Sequence, residues 1–247
     1  MLILEFITTD IIFSIVIALF SGLIRGYTGF ASGLLLIPLF VILFGPIEGI
    51  ALAAIVSSAG GVQLIPSALK SVYWPELGPT LIGAILFVFF SVFILISSDP
   101  LFIKKMMGIL LLFAAVVLMT GWTYRGPRNI FISFLAGSFS GAGLGAFGLP
   151  AGQFLALYFI TSPKNAEIQR ANITVCAGMT VFFLLASLLF HNQVNFITIQ
   201  RSLVLIPIFV IGTWLGLKLF NRLPLSWFNS IVHILILFTG LSLLFIR

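Results

Sequence analysis

Charged side chains are scarce in this chain. Asp, Glu, Lys and Arg make up 7% of its 247 residues, and only six of them are acidic. An ordinary soluble domain carries about 25% charged and roughly 45–50% apolar residues, whereas 61% are hydrophobic here. So few charges cannot cover the surface of a soluble fold. Cysteine is nearly absent: Cys176 stands alone, which excludes an internal disulfide and a Cys-x-x-Cys relay. A Gly-x4-Gly-Lys-Ser/Thr phosphate loop is missing, and no polar stretch is long enough to fold into a nucleotide-binding domain. No cofactor or metal site is legible. The net charge is +6, but the 12 Lys and Arg residues stand singly or in pairs between apolar runs. That pattern argues against a nucleic-acid partner and reads as topology signal and membrane-edge anchoring.

What is abundant is apolar sequence. Runs of about 20 residues recur, the length an α-helix needs to cross a hydrocarbon core roughly 30 Å thick. They cover 11–24, 34–44, 48–66, 77–97, 103–122, 130–149, 150–160, 168–190, 197–220 and 225–246. The first begins behind Glu5 and Asp10, without a basic leader or a small-residue cleavage site, and is expected to stay in the mature protein. The expected fold class is an all-α polytopic membrane protein with the lipid bilayer as solvent. Trp74 and Trp227 lie at segment ends and read as interfacial anchors.

Two runs, 34–44 and 150–160, are too short to span, and each follows a glycine-rich stretch, Gly26 to Gly33 and Gly141 to Gly148. A shift of 119 places lays Ser21-Gly22, Gly26, Gly29 and Gly33 on Ser140-Gly141, Gly145, Gly148 and Gly152, and Glu48 on Glu167. The chain therefore reads as two duplicated halves, 1–125 and 126–247, forming one integrated membrane domain. If each interrupted segment is a re-entrant hairpin, every half has three crossings and the repeats are inverted. Lys70, Arg125, Arg128, Lys164, Arg170, Lys218 and Arg222 then share one side, and Lys104, Lys105, Arg201 and Arg247 the other. If each is one broken crossing, the repeats run parallel and the charges divide almost evenly. The positive-inside rule favours the inverted drawing, with the first side cytoplasmic.

Backbone released from a helix inside hydrocarbon is tolerated only where it lines protein interior or a wet cavity, so two matched breaks point to a central site. The half-helix after each break offers free N–H groups and a positive dipole end, which favour an anion. Oxyanion-suited donors stand nearby: Arg25, Tyr27, Thr28 and Ser32 at the first break, and Ser138, Ser140 and Gln153 at the second. Arg25 is either a ligand beside a wet path or a residue snorkelling to the interface. Its repeat counterpart is Leu144, so the halves differ in chemistry. In the run 169–174, Arg170 and Thr174 fall one turn apart on one helix face, with Asn172 on another. Arg170 also reads as an edge charge pairing with Glu167, and Asn172 and Thr174 as interhelical glue. His233, near the middle of the last run, is a candidate proton relay.

The duplicated Ser-Gly-x3-Gly-x2-Gly motif, the short apolar piece after it and the polar helix start Arg170-Ala171-Asn172-Ile173-Thr174 together resemble the TauE/SafE sulfite exporter family over essentially the whole chain. Members often show three glycines in a row after the first serine-glycine; Gly29-Phe30-Ala31-Ser32-Gly33 is looser. The resemblance implies transport of sulfite, sulfonates or related small anions across a bacterial cytoplasmic (inner) membrane without ATP hydrolysis. An anion channel and a non-transporting membrane assembly subunit are the alternatives, and association of two copies stays open. An intramembrane serine protease fits poorly, because Ser138 and Ser140 lie in neither a Gly-x-Ser-Gly nor a Gly-x-Ser-x-Gly context.

Overall fold

A computed structural model describes residues 9–219 and 237–245, which contain helices and no strand. The helices are α1 (Thr9–Thr28), α2 (Gly33–Phe44), α3 (Pro46–Ala68, with a 3-10 turn at Leu69–Ser71), α4 (Trp74–Ser97) and α5 (Pro100–Met119). They continue with α6 (Ile130–Phe147), α7 (Ala151–Phe159), α8 (Ala166–Phe190), α9 (Phe196–Leu219) and α10 (237–245). Among the described residues, seven helices are long and apolar enough to cross a membrane, whereas α2 and α7 have only 12 and 9 residues. At about 1.5 Å per residue neither short helix reaches across a core of roughly 30 Å. The apolar runs match these helices to within about four residues, the usual uncertainty of a boundary read from sequence; the start of the last run lies outside the described residues.

The surface is apolar and the interior carries polar side chains. Phe20, Phe90, Phe93, Phe139 and Phe190 are exposed, while Ser14, Ser57, Thr80, Ser140, Thr180 and Thr213 are buried. Water would make such a surface associate, but lipid solvates it. Small and hydroxyl residues are the usual contacts between membrane helices. Two pairs pack closest, α4 with α6 and α1 with α9. A methyl group on Gly137, Gly141 or Gly145 would overlap the backbone of Thr80, Ala84 or Val88, and one on Gly22 or Gly26 that of Phe209 or Thr213.

This packing corrects the extent of the two breaks. The sequence reads both glycine stretches as interruptions, yet α1 continues through Gly26 to Thr28 and α6 through Gly145 to Phe147. Most of those glycines remove side chains between helices. Only Gly29, with φ 94°, and Gly148, onto which the 119-residue shift lays it, with φ 64°, take the left-handed backbone that turns the chain. The backbone leaves the helix over Gly29–Ser32 and Gly148–Pro150.

Contacts fix the helix directions. Gly22 and Gly26 lie level with Gly212 and Gly216, and Glu48 and Gly60 with Arg201 and Phe209, so α1, α3 and α9 run together. Thr80, Ala84 and Val88 match Gly137, Gly141 and Gly145, while Tyr73 and Phe89 match Asn172 and Ser187, so α4, α6 and α8 also run together. Ile65 against Gly178 and Ser71 against Glu167 make α3 and α8 antiparallel. One end of the bundle gathers the starts of α3, α5 and α9 with Lys104, Lys105 and Arg201. The other gathers the starts of α4, α6 and α8 with Lys70, Arg125, Arg128, Lys164, Arg170 and Lys218.

Candidate functional site

The two breaks meet. A methyl on Gly33 would sit 3.2 Å from Pro150 Cβ, and one on Gly152 would sit 3.1 Å from the Phe30 carbonyl oxygen. Between them lies a small chamber of about 20 Å³, lined by Arg25, Ser32, Gly33, Ser57, Ala151 and Thr174 among others. That volume holds about one water molecule. The N-termini of α2 and α7 both border it, so two positive helix ends converge on one small space.

Arg25 supplies the full charge. Its residue is 4% exposed, its Nη1 donates to Ser32 Oγ at 3.4 Å, and its buried Nε has no hydrogen-bond partner. Gly60, Gly61 and Gly178 make room for it: a methyl on Gly61 would lie 3.4 Å from Arg25 Nη2. Among the described residues no carboxylate pairs with this guanidinium, since the two ion pairs present are Arg128 with Glu76 and Arg201 with Glu48. A buried cation with spare donors beside two helix N-termini calls for an anion.

The remaining candidates divide by what they touch. Thr174 lines the chamber and also a neighbouring vestibule of about 270 Å³ that contains Arg170, one turn away on α8. Arg170 reaches the end of α1, donating to the carbonyls of Thr28 (3.2 Å), Tyr27 (3.3 Å) and Gly26 (3.4 Å). Glu167 instead accepts from Ser71 Oγ at 2.7 Å. Tyr27 is buried. Thr28 organises the turn: its Oγ1 donates to the Ile24 carbonyl and accepts from the amides of Phe30 and Ala31. Ser140 Oγ donates to the Ala151 carbonyl at 3.1 Å and so holds the start of α7. Asn172 Oδ1 accepts from the Tyr73 amide at 2.9 Å, outside the chamber lining. Gln153 is buried with neither amide atom partnered, next to chamber residues but not among them. His233 lies outside the described residues.

Sequence reasoning missed two groups. Ser57 borders the chamber and falls on Cys176 under the 119-residue shift; the pair Ser57-Ser58 inside an apolar helix was its signal. Glu76, which falls just outside the run 77–97 and drew no reading from sequence, is 8% exposed. Both its carboxylate oxygens accept from Ser162 Oγ, and Arg128 lies 3.9 Å away over the Tyr158 ring. Nothing in its spacing announced Arg128, which comes from another loop.

The family model described as sulfite exporter TauE/SafE matches residues 14–243, nearly the whole chain. The chain belongs to the TauE/SafE family. That makes it a multi-pass membrane protein of a transporter family, in agreement with the seven apolar helices. Neither a curated protein nor a solved structure matches the chain.

Proposed function

We propose that this TauE/SafE member is a secondary transporter that moves a small anion, such as sulfite or a sulfonate, out across a bacterial cytoplasmic membrane, and that Arg25 holds the anion in transit. The observation that carries the reading is the buried Arg25 guanidinium, with its bare Nε, beside the N-termini of α2 and α7. Ser32, Ser57 and Thr174 supply neutral donors around the same space. Arg170 meets the anion on the way in, while Thr28, Ser140 and Asn172 hold the backbone that shapes the site. Tyr27 and Gln153 lie beside lining residues without being among them. The chamber is smaller than any sulfur oxyanion, so loading requires movement, which suits a carrier better than an open channel.

The halves 1–125 and 126–247 are best read as inverted repeats. The reciprocal pairing of α1 with α9 and α6 with α4 supports a two-fold relation, since the 119-residue shift exchanges α1 with α6, and a slightly larger one exchanges α4 with α9. α1 and α6 begin at opposite ends of the bundle, which favours an axis in the membrane plane. On this reading α1–α2 and α6–α7 are re-entrant hairpins. The end carrying Lys70, Arg125, Arg128, Lys164, Arg170 and Lys218 is cytoplasmic by the positive-inside rule.

Export of an anion needs no coupled ion, because an inside-negative potential drives each negative charge outward with about 2.3 kcal/mol per 100 mV. Uptake would be uphill by the same amount. Reconstituted flux with a panel of sulfite, sulfate and sulfonates tests the reading. Saturable, protein-dependent flux of at least one supports it, and none above protein-free liposomes sinks it.

A further inference from the structure

The chamber and the vestibule share two lining residues. Gly29 and Thr174 line both spaces, and a methyl on Gly29 would lie 2.7 Å from Thr174 Oγ1 and 3.2 Å from Arg170 Nε. With φ at 94° and no side chain, Gly29 can press directly onto α8. What holds it there is Arg170, whose guanidinium takes the carbonyls of Gly26, Tyr27 and Thr28. These are among the last carbonyls of α1, which its own helix leaves without partners.

We propose that Arg170 is the latch of an inner gate. Seated on the three carbonyls, it pins the tip of α1 so that Gly29 and Thr174 close the passage; swung into the vestibule, it frees the tip and joins vestibule to chamber. An anion entering the vestibule offers the guanidinium charged acceptors in place of neutral carbonyls, and such bonds are about twice as strong. Glu167 lines the same vestibule, but Ser71 holds its carboxylate.

Among the described residues, the matching position in the second half has no such latch. Gly148, the repeat counterpart of Gly29, faces apolar atoms: a methyl there would meet Ile50 Cδ1 at 2.7 Å and Met107 Cε at 2.8 Å. The counterpart of Arg170 is Ala51 and that of Arg25 is Leu144. The inner passage is thus closed by a cation that an anion can draw away, and the outer one by hydrocarbon that offers an anion nothing. This asymmetry favours loading from the vestibule end.

The gate takes its purpose from the transport reading, but thiol accessibility tests it without transport. In a Cys176→Ser background, Ser67→Cys reports the vestibule, Ser57→Cys the chamber and Ser187→Cys the buried α4–α8 contact. A membrane-impermeant maleimide is added in vesicles whose orientation exposes Ser67→Cys. With Arg170 present, Ser67→Cys reacts and Ser57→Cys is protected. With Arg170→Gln, Ser57→Cys should react about tenfold faster or more, the change in open population that losing about 1.4 kcal/mol of closure produces, while Ser187→Cys stays protected. Equal rates at Ser57→Cys in both backgrounds would overturn the gate. So would a parallel rise at Ser187→Cys, which would mean general loosening. Arg170-dependent access in a protein that carries no tested anion would keep the gate and remove the transport reading.

Discussion

Arg25 Nη1 lies 3.4 Å from Ser32 Oγ, so the guanidinium reaches back across the break that separates α1 from α2. The bond is long and leaves most of the cation's hydrogen-bonding capacity unused. The same side chain therefore bridges the interruption and stays available to a solute entering between the two helices.

Replacing Arg25 should weaken anion binding more than any single hydroxyl change around the chamber. A hydrogen bond to a charged group is worth about 1.5–3 kcal/mol, so Arg25→Ala should raise the dissociation constant by about tenfold or more. Arg25→Lys keeps the charge but loses the planar fork and should fall between. Binding calorimetry on purified protein distinguishes these results, and equal affinity in all three proteins would remove Arg25 from the site.

The interhelical glycines should be intolerant of a single methyl. Gly141→Ala places Cβ onto the Ala84 carbonyl, whereas Gly78→Ala meets nothing within 4 Å. Overpacking typically costs 1–3 kcal/mol, while an open helical Gly→Ala change gains up to about 1 kcal/mol. Thermal unfolding in detergent should show Gly141→Ala less stable and Gly78→Ala at or above the parent. The reverse order would contradict the α4–α6 packing.

The two ion pairs should differ in weight. Glu76 and Arg128 have side chains 10% and 13% exposed, against 26% and 22% for Glu48 and Arg201. Removing one partner of a buried pair costs about 3–5 kcal/mol, while exposed pairs contribute roughly 0–1 kcal/mol. Glu76→Ala should therefore lower the melting temperature well beyond Glu48→Ala, and Glu76→Gln, which can keep a Ser162 bond, should recover part of the loss. Equal shifts for Glu76→Ala and Glu48→Ala would mean that burial does not set the strength of these pairs.

The helices were legible because lipid imposes a length and an apolar composition that sequence displays directly. The breaks were legible through Gly29 and Gly148, which the 119-residue shift lays on each other and whose backbone is left-handed at both positions. Their extent was not. A glycine that makes a turn and one that admits a neighbouring helix look alike in sequence, and only the proximity of α9 and α4 separates Gly26 and Gly145 from Gly29 and Gly148. Which candidate side chains border the chamber was not legible either. Thr28, Ser140 and Asn172 have the right chemistry and position, yet each spends its oxygen on nearby backbone, at the Ile24 and Ala151 carbonyls and the Tyr73 amide. Ser57, on a third helix, was invisible until α3 was brought against the chamber.

The most direct test of the account is sulfite flux in proteoliposomes, with membrane potential and pH gradient varied independently and wild-type protein compared with Arg25→Ala at matched amounts. The account predicts wild-type flux that grows as the compartment the anion leaves becomes more negative, is indifferent to the pH gradient, and falls about tenfold or more without Arg25. Flux that ignored potential, followed the pH gradient and vanished in His233→Ala would contradict potential-driven export, and undiminished flux in Arg25→Ala would contradict the site itself.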